Sequence, residues 1–379
     1  MKNKLICLFA ILMLSLLSIF TSVESTIYAY ENIDSVAKGM VVLEGNTNTI
    51  LYGKNYDMQL PMASTTKIMT ALVCIENSDN LDEKIVVSDK SVGIEGTSIY
   101  LQYGEEISIR DLLYGLILAS GNDCAVAIAM YISGSEEAFV ELMNNKVKDL
   151  NLINTHFENP HGLDAENHYT SAYDLAMITS YAMKNDTFKS IVSTKRYTIE
   201  NTNFSEPRYL KHKNKLIFMD DNVVGVKTGF TDNARRCLVN AYEDEGMMII
   251  SVVLNCQPMF EECERLTNLV KNNYIMKQFI KPYNFVSSID VSSSDKNQVG
   301  LITIKGFELP ILKLDEDRYS VEYELPDNIC APIELNEPIG KVKVLYDDTI
   351  IYSDNLYSIE KMDNTDIKYQ IDKIIQKWF

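Results

Sequence analysis

The chain reads as an α+β protein: helices packed on one antiparallel five-stranded sheet, then a small all-β domain and a terminal amphipathic helix. Three observations point there. Two strand-like segments stand early and three stand late, with helical periodicity between them, so both ends of the domain close one sheet. Beyond Lys281-Pro282 the texture changes to short alternating strands separated by Pro, Asp, Asn and Gly. The final stretch places Ile367, Ile371, Ile374, Ile375 and Trp378 at helical spacing.

The elements follow in order. Lys2 and Lys4 precede an apolar run, Leu5 to Phe20, and then the polar "TSVES". This is the order of a secretory signal, so residues 1–29 are expected to be cleaved at Ala29 and the protein exported. The rival is an uncleaved anchor, for which the run is short. "KGMVVLE" and "TILYG" flank the turn-prone "GNTN" and predict a β-hairpin. "SIRDLLYGLILAS" opens with Ser108 and Asp111 in capping-box spacing, and Leu112, Leu113 and Leu116 give an apolar face. "GNDCAVAIAMYISGS" and "EEAFVELMNNKVKDLNL" continue as two more helices. "NVVGVKTGF", "RCLVNAYE" and "MMIISVVL" are the late strands, the last two joined at "DEG". "ERLTNLVKNNYIM" is expected to be the closing helix. The catalytic-size domain then spans 30–281, the β-rich domain 282–356 and the amphipathic segment 357–379. In that last segment Lys368, Lys373 and Lys377 lie among the polar positions, which suits a membrane surface; the rival is docking on its own β domain.

Composition excludes one class of partner. With 35 Lys+Arg against 53 Asp+Glu the net charge is −18, which repels a phosphate backbone, so no nucleic acid is expected. Apart from Cys7 in the signal, Cys74, Cys124, Cys237, Cys256, Cys263 and Cys330 are scattered, mostly in apolar runs, without metal-ligand spacing. They read as buried free thiols, with a disulfide left open.

"LPMASTTKIMTALVCIE" holds Ser64 and Lys67 three residues apart at the expected first turn of a helix. Ser-x-x-Lys occurs four times in the chain, so the pattern alone is not specific. A serine hydroxyl needs a neighbouring base, and a lysine serves only where burial or a cation disfavours its charge. Two segments could complete such a site. In "ILASGNDCA", Ser120 and Asn122 sit where one helix breaks at Gly121, and can aim a hydroxyl and an amide into a cleft. In "GVKTGF", strand alternation puts Lys227 and Gly229 on one side and Thr228 on the other. Lys227 would oppose a charge on Lys67 and attract an anionic group, and Gly229 would let a substrate backbone approach. Ser78-Asp79-Asn80 also fits the middle pattern, but reads as a polar loop ending the Ser64 helix.

Ser-x-x-Lys, Ser-x-Asn and Lys-Thr-Gly in this order resemble the penicillin-recognising serine enzymes. The fuller resemblance is to the low-molecular-weight penicillin-binding proteins, the D-alanyl-D-alanine carboxypeptidases. It extends through "YGKNYDMQLPMASTTKIMTAL", "LLYGLILASGNDCAVAIA", "FENPHGLDAENHYTSAYDLA", "NKLIFMDDNVVGVKTGFT" and "IELNEPIGKVKV". The resemblance implies a transpeptidase/β-lactamase-like first domain at the outer face of the cytoplasmic membrane, acting on peptidoglycan stem peptides and acylated by β-lactams, with no metal or organic cofactor. It implies that Ser64 attacks the carbonyl between two D-alanines, Lys67 takes its proton, Ser120 relays a proton to the leaving group and Asn122 holds the substrate amide. Lys227 and Thr228 would bind the terminal carboxylate, and the N–H groups of Ser64 and Phe230 would form the oxyanion hole. The family often has Ala-Gly where this chain has Ala234-Arg235, followed by Arg236, so the outer edge of the cleft is expected to differ.

His161 and His168 read as loop-ordering residues, because Lys67 already supplies a base. Two rivals stand beside the carboxypeptidase. A β-lactamase would need a deacylating base, for which Glu166 is the formal candidate, although no Glu-x-x-Leu-Asn run is present. A non-catalytic penicillin-binding or sensor module is opposed by the intact Ser64, Lys67 and Lys227.

Overall fold

The computed structural model describes residues 31–200, 202–204 and 206–378, and the expected signal segment lies outside them. A two-residue strand, β1 (Glu31–Asn32), pairs in parallel with β3 (Thr49–Lys54). The expected hairpin is β2 (Gly39–Glu44) against β3, and the late strands are β8 (Val223–Thr231), β9 (Arg235–Asp244) and β10 (Met247–Leu254). Together they form one sheet in the order β1-β3-β2-β10-β9-β8, so the five expected antiparallel strands are joined by the short parallel β1. Val42 faces Ser251 and Val41 faces Val252, which zips the start of the domain to its end.

Every residue of β2 and β10 is buried, because helices cover both faces of the sheet. Alternation divides their side chains between two cores. Val41, Leu43, Ile250 and Val252 join the larger one, and Met40, Val42, Ile249 and Val253 the smaller. The larger core is filled from α1 (Lys67–Glu76), α2 (Ile109–Tyr114), α3 (Asn122–Ser133), α4 (Glu136–Asp149), α5 (Ala172–Met183) and α6 (Asp186–Val192). Between α1 and α2 lies the ribbon β4 (Lys84–Val86) with β5 (Glu106–Ser108), and after α6 comes β6 (Arg196–Ile199) with β7 (Arg208–Lys211). Ser108 caps α2 by accepting from the Asp111 N–H, as its spacing predicts.

The smaller core rests on α7 (Met259–Asn273) through Met259, Cys263, Leu266 and Val270. Here the structure corrects the expected closing helix. Tyr274-Ile275-Met276 is not helical but opens β11 (Tyr274–Ile280), paired with Phe307–Leu312. Tyr274 packs edge-on against Tyr52 at 5.7 Å, so β pairing and an aromatic contact take over where the helical pattern could have continued.

Strands β12 (Phe285–Ser292), β13 (Gln298–Ile302), β14 (Phe307–Leu312), β15 (Tyr319–Glu324), β16 (Asn328–Cys330), β17 (Pro338–Tyr346) and β18 (Thr349–Ser358) supply the expected β-rich texture. Their core includes Ile289, Leu301, Val342, Val344 and Leu356. Helix α8 (Ile367–Trp378) ends the described chain, with Ile367, Ile371, Ile374 and Ile375 all at least half exposed. Among the described residues no helix is long and apolar enough to cross a membrane. Of the cysteines, Cys74, Cys124, Cys237, Cys256 and Cys263 are buried and free; Cys330 is exposed, contrary to the buried expectation, because β16 is a short edge strand.

Candidate active site

Ser64 lies in a 3-10 turn, Ala63–Thr66, that runs directly into α1. Ala63 sits at φ +49°, a left-handed conformation that turns the chain sharply ahead of the serine. Thr65 and Thr66 donate their hydroxyls to the carbonyls of Met62 and Ala63 at 2.6 and 2.9 Å, which holds the turn. Ser64 is therefore presented at the helix start rather than within it.

Lys67, one turn on, is fully buried. Its Nζ lies 2.9 Å from Ser64 Oγ, 2.7 Å from Asn122 Oδ1 and 2.5 Å from the His161 carbonyl. A neutral amine has two N–H donors and one lone pair. The two carbonyl oxygens can only accept, so they take both donors, and the lone pair is left facing the Ser64 hydroxyl. Burial, and after it the positive charge of Lys213, lowers the Lys67 pKa to about 7. An amine with that pKa can take up a proton near neutral pH.

Ser120 and Asn122 arrive from a break between two helices. After α2 the chain makes a π-helical turn, Gly115–Ala119, and Ser120 itself adopts φ +65°, one residue before the expected break at Gly121. The Asn122 N–H donates to the Thr97 carbonyl at 2.6 Å and its Nδ2 to the Glu95 carbonyl at 2.6 Å. The side chain expected to hold a substrate amide is therefore also a strut tying Lys67 to the 95–97 segment.

Lys227, buried on the edge strand β8, places Nζ 2.9 Å from Ser120 Oγ and 2.9 Å from the Thr228 carbonyl. Its pKa is pushed well below the usual lysine range by burial first, then by Lys67 and Lys213. The buried hydroxyl of Ser120 is thus bonded to an amine whose charge is disfavoured by burial and by Lys67. Thr228 is buried beside Lys227, and Phe230 is about half exposed at 54%. Gly229 does not face open cleft: a Cβ there would meet Ser64 N at 3.0 Å and Met62 O at 3.0 Å. The glycine lets β8 pack against the serine turn, which brings the backbone of Ser64 and the strand leading to Phe230 together.

Sequence patterns missed several parts of this arrangement. The His161 carbonyl acts through the main chain, which leaves no side-chain signature. Gly162, at φ +91°, lies under the serine turn, and a Cβ on it would fall 2.0 Å from Ala63 O. Gly162→Ala is expected to destabilise the protein by more than about 2 kcal/mol, read as a lowered midpoint in thermal or urea unfolding. Asp123, buried at the start of α3, accepts from Ser98 Oγ and from the N–H groups of Ile99 and Leu101, pinning the segment that braces Asn122. Lys213, exposed in "KHKNKL", lies 3.4 Å from Thr97 Oγ1, and its charge rather than that of Lys227 is the cation lowering Lys67. Nothing in its local sequence distinguished it from other surface lysines.

The histidines order loops. His168 lies 2.7 Å from Thr66 Oγ1 and accepts at Nδ1 from the Glu158 N–H; burial lowers its pKa to about 4. His161 accepts at Nδ1 from the Leu163 N–H, and burial lowers its pKa to about 3. It is neutral, so its 3.8 Å approach to Glu136 is no charged pair. Glu166 is exposed on the same loop, with no hydrogen bond to Ser64 or Lys67 among the described residues. Ser78 donates to the Cys74 carbonyl and ends α1 as a polar loop. A hydroxyl beside a buried amine of lowered pKa, a second hydroxyl on a second amine, and a close backbone cradle suit acyl transfer by a serine nucleophile.

Residues 26–258 match the family described as D-alanyl-D-alanine carboxypeptidase, and residues 274–364 match the penicillin-binding protein 5 C-terminal domain. A D-alanyl-D-alanine carboxypeptidase of Bacillus subtilis, DacF, is 34% identical over 336 residues, covering 86% of each chain. DacD of Escherichia coli, of the same description, is 30% identical over 363 residues, covering 92% of each. Among solved structures, penicillin-binding protein 5 of Haemophilus influenzae aligns with a TM-score of 0.74 at 29% identity, covering 88% of this chain and 99% of that one.

Proposed function

The chain belongs to the D-alanyl-D-alanine carboxypeptidase family and is a serine-type carboxypeptidase; on that premise we propose that it trims the terminal D-alanine from peptidoglycan stem pentapeptides through an acyl-enzyme on Ser64, and that β-lactams acylate the same serine. One observation carries the reading: the buried Nζ of Lys67, its pKa lowered to about 7, lies 2.9 Å from Ser64 Oγ. Lys67 takes the hydroxyl proton as Ser64 attacks, and the N–H groups of Ser64 and Phe230 stabilise the oxyanion. Lys227 and Thr228 hold the terminal carboxylate, and that anion restores the positive charge that burial disfavours on Lys227. Ser120 gives its hydroxyl proton to the departing D-alanine amine and is reprotonated by Lys227, which donates to it. Water then attacks the acyl carbonyl and the ester C–O bond breaks. Ser64 regains its hydroxyl proton, Lys227 takes back the proton that the water loses, and Lys67 releases its proton to solvent.

The test is direct. Purified protein mixed with a peptide ending in D-Ala-D-Ala is expected to release a single D-alanine, read by mass spectrometry. Penicillin is expected to leave a long-lived one-to-one adduct on Ser64. Rapid penicillin turnover without D-alanine release would overturn the reading in favour of a β-lactamase.

Export places the enzyme outside the cytoplasmic membrane, and α8 rests on the membrane surface. The exposure of its four isoleucines supports a face awaiting an apolar environment rather than one docked on the β domain. Truncation before Asp366 is expected to leave peptidase activity intact and to abolish co-sedimentation with anionic lipid vesicles. A truncated protein that still sediments would sink the assignment of α8.

A further inference from the structure

We propose that Arg235 and Arg236, at the start of β9, form a subsite for a carboxylate on the stem residue preceding D-Ala-D-Ala, so that the enzyme prefers a diamino dicarboxylate such as diaminopimelate there over lysine. This rests on the reading in which Lys227 and Thr228 hold the terminal carboxylate and Phe230 the oxyanion. Those positions set a direction. Passing along β8 from Lys227 to Phe230 follows the bound peptide from its C-terminus inward, so residues beyond Phe230 face the peptide upstream of the scissile bond. β8 is the edge strand and can receive an extended peptide along its free side.

Register then locates the two arginines. Thr231 is opposite Arg235, and Phe230 is opposite Arg236. A peptide added to β8 lies two strand spacings from β9, about 10 Å. An arginine side chain and a diaminopimelate side chain span that gap together, whereas alanine could not.

Charge pairing separates these arginines from most others. Arg110, Arg208, Arg265 and Arg318 are each ion-paired. Among the described residues, Arg235 and Arg236 form an ion pair with no carboxylate, although both are exposed in a chain of net charge −18. Arg236 sets its guanidinium 5.7 Å from the Phe230 ring, which steadies it beside the oxyanion strand. Asp164, the acid the same hairpin does hold, is bonded to Thr231 Oγ1 at 2.8 Å. Arginine suits a carboxylate because its planar fork can bond both oxygens.

The experiment compares two stem pentapeptides that differ only at the third residue, diaminopimelate or lysine. Wild type is expected to favour the first by about tenfold in kcat/KM, carried by KM. In the double variant Arg235→Gln/Arg236→Gln the preference is expected to fall to within about twofold, while Arg235→Lys/Arg236→Lys keeps part of it. Thermal unfolding of each variant reports that it is folded. Equal cleavage of both peptides by wild type, or an undiminished preference in the glutamine variant, would overturn the subsite. Wild type that is folded yet releases D-alanine from neither peptide would instead overturn the carboxypeptidase reading, and the subsite with it.

Discussion

Ser64→Ala protein will release no D-alanine from a D-Ala-D-Ala peptide and take up no penicillin, a loss of at least about 10⁴-fold. Ser64 is the hydroxyl 2.9 Å from Lys67 Nζ, whereas the hydroxyl of Ser120 is bonded to Lys227. Ser120 sits in a left-handed turn within its own segment, away from the 3-10 turn that presents Ser64 and its backbone N–H. Alanine removes the attacking atom without changing the turn, whose own bonds come from Thr65 and Thr66. The variant should therefore fold normally, with an unfolding midpoint near wild type. A penicillin adduct retained at its normal rate would identify another nucleophile and refute the assignment.

Lys67→Ala should slow acylation by about 10³-fold or more, and the pH profile should change with it. The sign follows from the proton. Lys67 works as a base only when unprotonated, and its pKa is lowered to about 7. Below that pH the amine carries a proton and the wild-type acylation rate should fall about tenfold per pH unit; above it the rate should level off. Lys67→Ala loses this rising limb. Lys67→Arg should be equally inactive, since a guanidinium stays charged throughout the range. Stopped-flow acylation by a chromogenic β-lactam from pH 5 to 9 reads all three proteins. Persistence of the limb near pH 7 in Lys67→Ala would assign it to another group.

Much of this architecture was legible in the chain, and the reasons are physical. The strands β2 and β10 announce themselves as nearly continuous apolar runs because both faces of the sheet are covered. Ser64, Lys67, Ser120, Asn122 and Lys227 were legible because three short side-chain patterns follow one another in order, at a helix start, a helix break and within a strand; the structure bonds Lys67 to Ser64 and Asn122, and Lys227 to Ser120. Main-chain and distant contributions were not. The His161 carbonyl and the cramped space beneath the serine turn at Gly162 emerge only when a loop a hundred residues later folds over it. The same holds for Gly229, whose need is a neighbouring backbone rather than a ligand. Lys213 acts through charge across a cleft, which no local pattern encodes. At Tyr274 the helical repeat continued on paper, but strand pairing with Phe307–Leu312 ended it.

The seam where Val42 meets Ser251 carries a consequence for how the molecule is made. Joining segments about two hundred residues apart closes a very large loop before any stabilising contact forms, so a high contact order and slow maturation are expected. Until Leu254 is in place, β10 cannot bridge β2 to the lysine-bearing β8–β9 ribbon. A nascent polypeptide therefore carries the Ser64–Lys67 turn and the Lys227 strand on unconnected pieces. Such a precursor is chemically silent, and its reactivity switches on only when the last of the six strands is laid down.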